Sequence, residues 1–213
     1  LGSMMKDLIE RRLADPTLPM EEAFSQQLKE EKLELPAGQF ALFMNSMYAV
    51  DAYVRDYFRK AVLDALLAEK LPVTVFGEGW EKYSCGDEHS LRREPAVPFA
   101  LSFERITKAH VLLNVSPIFN RGMHDRVPAG MANHAVVLTD ENPYLRRTFT
   151  DGKELLFYSL EKPDTLCEQA ERTLTDVRLR EKIAASAYET FEREYTWKRR
   201  AEQILAFAEE VEA

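Results

Sequence analysis

Between Ala109 and Asp140 the chain runs through two short apolar segments, His110 to Val115 and Ala135 to Leu138. A polar turn, Ser116 to Met123, and a helix-like segment opening on His124-Asp125-Arg126 lie between them. Strand, turn, helix and strand in that order make a right-handed crossover unit, and the two strands must then be parallel. Such a unit puts its strand ends and its helix N-terminus on one edge of the sheet, where open α/β sheets have their ligand crevice. The polar residues gather there. Asn114 and Ser116 leave the first strand, His124 and Arg126 open the helix, and Thr139, Asp140, Glu141 and Asn142 leave the second strand.

The rest of the chain divides around this unit. From Met5 to about Lys70 the pattern is helical: Leu8, Ile9 and Leu13 form a short stripe, Asp15-Pro16 interrupts it, and Met20 to Leu35 follows. After Pro36 and Gly38, the spacing of Phe43, Met47, Val50, Val54, Phe58, Val62 and Leu66 predicts one long amphipathic helix over Phe40 to Glu69. Its aromatic residues, Phe40, Phe43, Tyr48, Tyr53, Tyr57 and Phe58, read as packing groups. From Leu71 to Tyr158 short apolar runs alternate with helices, which implies a parallel sheet. The strands are expected at Val73 to Phe76, weakly at Ala96 to Pro98, at Val111 to Val115, Ala135 to Leu138 and Leu155 to Tyr158, and Tyr83 to Glu94 reads as a surface loop. From Lys162 on the chain is helical, with Pro163-Asp164, Asp176 and Thr196 as helix starts. The expected fold class is thus α/β, a helical region (residues 1–70) followed by a parallel-sheet domain with flanking helices (residues 71–213).

Composition narrows the function classes. A chain of 213 residues with 46% hydrophobic content can build a real core. A formal net charge of -8 and the lack of any Lys/Arg-rich run argue against a nucleic-acid partner, which needs a basic face. Cys85 and Cys167 have no zinc spacing and read as free thiols, in keeping with a cytoplasmic protein. No apolar run reaches the roughly 18 residues of a transmembrane segment, and no signal peptide is legible. The opening Leu-Gly-Ser-Met reads as a remnant of cloning, so the chain is expected to be an excised piece.

Three groups of residues could carry chemistry. Gly77-Glu78-Gly79 follows the first strong strand; its glycines would let backbone amides approach a phosphate and Glu78 could take a sugar or ribose hydroxyl, but a plain tight turn fits equally. His124 and Arg126 open a helix whose free amides favour an anion, and Arg126 offers a fork suited to diphosphate oxygens; the competing reading is a structural ion pair with Asp125. His134 reads as a C-terminal helix cap. No metal-ligand spacing and no exposed nucleophile are legible.

The segments His110-Val-Leu-Leu-Asn-Val-Ser-Pro117, His124-Asp-Arg-Val127, Met131-Ala132 and Ala135-Val-Val-Leu-Thr-Asp140 resemble the donor-binding half of GT-B glycosyltransferases. Within that family they look most like the branch of spore-maturation glycosyltransferase-like proteins. Val75-Phe-Gly-Glu-Gly-Trp80, Asp151-Gly-Lys-Glu154 and Tyr195-Thr-Trp-Lys-Arg-Arg-Ala201 extend the likeness over about residues 72–207. The resemblance implies a Rossmann-like domain that grips a nucleotide diphosphate-sugar donor through Gly77, Glu78, Gly79, Asn114, Ser116, His124, Arg126, Thr139 and Asp140. It implies no cofactor beyond that substrate. The family's acceptor-binding half has no counterpart in the helical first 70 residues, so it is expected to be missing or supplied by a partner, with a glycan, protein or lipid-linked acceptor. The chain would be a piece of a hexosyltransferase-type enzyme, inactive alone; the alternative is a glycosyltransferase-like module that binds without catalysing. Arg121 and Ala129 stand where many retaining members carry glutamates, and His134 stands where a glycine is usual.

Overall fold

The computed structural model describes residues 2–117 and 119–212. Leu1 of the leading tetrapeptide, Ile118 of the Ser116 to Met123 turn and Ala213 lie outside them. Four helices come first: α1 (Gly2–Ala14), α2 (Met20–Glu30), α3 (Ala37–Ser46) and α4 (Tyr48–Ala68). The chain then alternates through β1 (Val73–Phe76), β2 (Leu91–Glu94), α5 (Phe99–Ile106), β3 (Val111–Asn114), α6 (Arg126–Ala132), β4 (Val136–Asp140), α7 (Pro143–Thr148) and β5 (Leu156–Tyr158). It closes with α8 (Asp164–Thr175), α9 (Val177–Glu194) and α10 (Trp197–Glu212).

All strand pairs are parallel, as the alternation requires: β1 with β2, and β3 with β4 and β5. Among the described residues no ladder joins the two groups. Val73 of β1 packs instead on the core that holds Val111 and Leu113 of β3. Central β4 is buried along its whole length, and its alternating side chains serve two layers. Val136 and Leu138 face a core built with Val54, Phe58, Val62 and Leu66 of α4, Leu166 of α8 and Ile183 of α9. Val137 faces Val127 and Met131 of α6 and Leu145 of α7. Gly130 of α6 permits that close approach, since a Cβ there would stand 2.5 Å from Cγ2 of Val137 and 3.0 Å from Cδ2 of Leu112.

The helical region has a smaller core of its own, where Leu8, Met20, Phe24, Met47 and Val50 meet. Helix α4 bridges the two, with Val50 in the first core and Val54 onward in the second. The apolar stripe that required a partner thus finds one in the sheet.

Four expectations are corrected. The stretch Phe40 to Glu69 is two helices rather than one. Ser46 Oγ donates back to the Phe43 carbonyl and the chain turns at Met47, whose side chain is fully buried in the small core. Of its aromatics, Tyr48, Tyr53 and Tyr57 are exposed, because they lie off the stripe marked by Val50, Val54 and Phe58. The end of the supposed loop Tyr83 to Glu94 is β2, an edge strand whose one apolar residue, Leu91, packs on Leu63 and Leu67. The weak strand at Ala96 to Pro98 does not form; Pro95 and Pro98 bracket it, and neither has an N–H for a ladder.

His134 closes the C-terminus of α6, as expected, but through its backbone and not its ring. It holds the left-handed position that ends the helix, at φ 55°, with its own N–H on the Met131 carbonyl and Ala135 N–H on the Gly130 carbonyl at 3.0 Å. This closure is the one that favours glycine. The ring is held by stacking on Tyr188, centroids 4.2 Å apart. Lys32 and Lys70 end α2 and α4 in the same way, each at φ 55°. Asp176 and Thr196 cap α9 and α10 as expected, through Leu179 N–H at 2.9 Å and Arg199 N–H at 3.2 Å.

Candidate functional site

The parallel register aligns the C-terminal ends of three strands, setting Asn114 beside Thr139 and Asp140 beside Tyr158. Their polar groups join in one buried network. Asn114 Nδ2 donates to Thr139 Oγ1 at 2.9 Å, Ser116 Oγ donates to Asn114 Oδ1 at 3.1 Å, and Tyr158 OH donates to the Asn114 carbonyl at 2.8 Å. Asp140 Oδ1 accepts from the Ser116 backbone N–H at 2.8 Å. That carboxyl is only 4% exposed. Burial pushes its pKa up to about 7, against the opposing pull of the Ser116 amide and the Arg126 charge. Burial, with the neighbouring Asp140, likewise drives the Tyr158 phenol well above its usual range.

Above this network lies a cationic tier. His124 Nδ1 accepts from Arg126 N–H at 3.2 Å and from Arg126 Nε–H at 3.3 Å. The same nitrogen lies against the Asp125 carboxylate, a contact that attracts only a protonated ring. Burial and the Arg126 charge, helped by Arg59, outweigh that attraction and hold the His124 pKa below its usual value. The ring is therefore largely uncharged at pH 7. Arg126 is half-buried, and burial together with Arg59 of α4 pushes its pKa down. A guanidinium stays charged through such a shift. Arg126 and the His124 ring thus lie together, with the charge of Arg59 acting on both, while Arg59 itself pairs with Asp56 at 3.5 Å.

Of the residues singled out from the sequence, the structure brings together Asn114, Ser116, His124, Arg126, Thr139 and Asp140. Asn114, Ser116, Thr139 and Asp140 form the floor, and their side chains are engaged with one another or with the local backbone. The turn Gly77-Glu78-Gly79 ends β1 in the other strand group, and no described hydrogen bond ties it to the network. Both glycines hold positive φ, 122° and 92°, and Glu78 is exposed. Gly79 N–H is taken by Glu81 Oε2 at 2.7 Å, so a carboxylate already occupies one amide of that turn.

Two participants, Tyr158 and Arg59, escaped the sequence reading, and a third, Asn142, was placed at the crevice without its role. Tyr158 was legible only through the β4 to β5 register. Arg59 belongs to the helical region, and its signal is its place next to Phe58, on the flank of the buried α4 stripe. Asn142 caps α7 by accepting from Leu145 N–H at 2.8 Å, while its Nδ2 donates to the carbonyls of Phe119 and Gly122 and so holds the turn over the site. That turn also meets the helical region. Arg121 pairs with Glu22 of α2, and a cleft of about 420 Å³ opens between them, lined by Arg12, Met20, Asp51, Phe119 and Arg121. Arg12, 1% exposed, is held in its wall by Asp51 Oδ1 at 2.8 Å.

Among the described residues no group of three or more His, Cys, Asp or Glu is placed to hold a metal ion, and no helix is long and apolar enough to cross a membrane. Cys85 and Cys167 are free.

No protein of curated function matches the sequence. Among solved structures, the Anabaena protein Alr3699/HepE in complex with UDP-glucose superposes with a TM-score of 0.60 at 11% identity, over 70% of this chain and 44% of that one. Its complex with UDP gives the same TM-score, 0.60, and the same coverage. This chain therefore spans less than half the length of that protein. The C-terminal domain of a group 1 glycosyl transferase (LpcC) of Francisella tularensis also matches, at 12% identity over 62% of this chain and 92% of that one, with a TM-score of 0.41. The fold is thus a Rossmann-like α/β arrangement like that in the Anabaena protein, as the sequence resemblance implied. A family model described as glycosyl transferase-like matches residues 55–206, beginning inside α4 where that helix joins the sheet core and taking in all five strands. On that match the chain belongs to the glycosyl transferase-like family.

Proposed function

We propose that this chain is the donor-binding part of a glycosyltransferase that uses a nucleotide diphosphate-sugar, the acceptor-binding part lying elsewhere. The observation that carries the reading is Arg126 against His124 at the start of α6, under the influence of the Arg59 charge, in a chain of this family. The Anabaena protein with the same fold holds UDP and UDP-glucose, which makes a uridine diphosphate the first donor to test. In transfer, the bond from the anomeric carbon to the β-phosphate oxygen breaks as a bond to an acceptor oxygen forms. The departing diphosphate gains negative charge, and Arg126 and Arg59 stabilise it. The acceptor hydroxyl proton goes to a base outside this chain, so the isolated chain binds donor and transfers nothing.

Glu78 belongs to the same proposed site, contributing a hydroxyl contact from the neighbouring strand end; the Gly77 and Gly79 amides, bonded to the Glu94 carbonyl and to Glu81, would contact a phosphate only by exchanging those partners for it. A second reading, a binding module without catalysis, draws on one feature: Asn114 and Thr139 are engaged with each other rather than open to a ligand. Calorimetry with UDP and UDP-glucose on the wild-type and Arg126→Ala chains separates them. Donor binding predicts a loss of about 1.5–3 kcal/mol in the variant, the range for hydrogen bonds to charged groups. Equal affinities would remove Arg126 from the site, and no binding to either chain at millimolar nucleotide would favour the module.

A further inference from the structure

Helix α10 is amphipathic, and among the described residues nothing covers its apolar side. Trp197 is 90% exposed, Val211 69%, Ile204 and Phe207 67% each and Leu205 64%. At 3.6 residues per turn, Trp197, Ala201, Ile204, Ala208 and Val211 fall on one line, with Leu205 on one flank and Phe207 on the other. So many large apolar groups on one exposed stripe mark a surface that binds something.

The charges say what. Lys198, Arg199 and Arg200 crowd the first turn and Glu209 and Glu210 the last, the reverse of what a helix dipole favours. A second helix running the other way corrects both ends at once, because its acidic end lies beside the basic start. The flanks also match. Lys198 and Glu209 share the Leu205 flank, whereas Arg200 and Glu210 share the Phe207 flank. A two-fold axis perpendicular to an antiparallel pair keeps each flank on its own side, so Lys198 of one chain meets Glu209 of the other. We propose that α10 is a self-association surface, pairing antiparallel with α10 of a second copy of this chain and burying Trp197, Ile204 and Val211 between them. A lipid surface fits less well, since Glu209 and Glu210 would face the anionic headgroups that the basic end attracts.

Sedimentation equilibrium on the chain tests this. The monomer mass is 24.5 kDa, and the expected result is a concentration-dependent rise to twice that value, with a blue shift of Trp197 fluorescence. The variant W197A/I204A should stay monomeric with an unchanged thermal transition, because α10 contributes no buried residue to the core. Reversing only the basic end (K198E/R200E) or only the acidic end (E209K/E210K) should weaken pairing by about tenfold or more, and combining the two should restore it. A chain that stays monomeric at every concentration overturns the proposal, as does a dimer indifferent to the α10 variants. Single reversals without effect would overturn the antiparallel arrangement. Binding of the monomer to phosphatidylserine vesicles without self-association would assign the surface to lipid instead.

Discussion

Replacing Asp140 by asparagine should change how stability depends on pH more than it changes stability itself. In the folded chain this carboxyl is half-ionised near pH 7, whereas in the unfolded chain it titrates near 3.9. Between those values the native state binds more protons than the unfolded one, so stability falls as pH rises. The contribution is fully present below about pH 4 and is lost as pH climbs through 7. At 1.36 kcal/mol per pH unit, the separation sets a ceiling of about 4 kcal/mol on the loss. Asparagine keeps an oxygen for the Ser116 N–H now bonded at 2.8 Å, and it cannot ionise. Its amide brings two donors into a buried site, which costs about 1–3 kcal/mol at every pH. Urea unfolding of both chains from pH 5 to pH 8.5 separates the effects, because only the titration varies with pH. The difference between variant and wild type should move toward the variant with rising pH, by about 2.7 kcal/mol over this range, the remaining part of the ceiling having been lost below pH 5. Stability curves that stay parallel across that range would refute a carboxyl held near 7, and a difference moving toward the wild type would reverse the argument.

Gly130→Ala should destabilise by about 1–3 kcal/mol in denaturant unfolding, since its Cβ would meet Val137 Cγ2 at 2.5 Å. Combined with Val137→Ala it should cost less than the sum of the two changes. Lys70→Gly should stabilise by about 0.5–1 kcal/mol, the relief of a left-handed residue at φ 55° less the entropy of glycine, and Lys70→Ala should give no such gain. His134→Gly relieves the same backbone but surrenders the stack on Tyr188, so thermal unfolding should show a smaller gain than at position 70.

What the sequence made legible was set by apolar spacing. Strands β3, β4 and β5 are buried or half-buried runs of Val, Leu, Phe and Tyr, and their parallel order followed from the helices between them. Strand β2 carries Leu-Arg-Arg-Glu, and its identity comes from pairing with β1 and from Arg93, which reaches the carbonyls of Trp80 and Tyr83 at 3.0 and 2.8 Å. No local pattern encodes that. The site divides the same way. Residues at strand ends and at the helix start were readable from position, because the topology sends them all to one edge. Which of them would be buried was not readable, since Asn114, Thr139 and Asp140 differ from surface residues only in the partners the register gives them. Arg59 lies some seventy positions before Arg126 in the chain, and only the packing of α4 on the sheet brings their charges together.

The division of the strands into two ladders bears on how the molecule opens. Hydrogen bonds run from β3 through β4 to β5, so these strands should exchange their amides together and slowly. Strands β1 and β2 share four-residue ladders only with each other, and they meet the rest through Val73 and the Leu63 and Leu67 side chains of α4. Side-chain contacts can part without breaking a ladder. The β1–β2 pair, carrying the Gly77-Glu78-Gly79 turn at its end, is therefore a separate cooperative unit, able to unlatch and reseat while the strands beneath Arg126 stay protected.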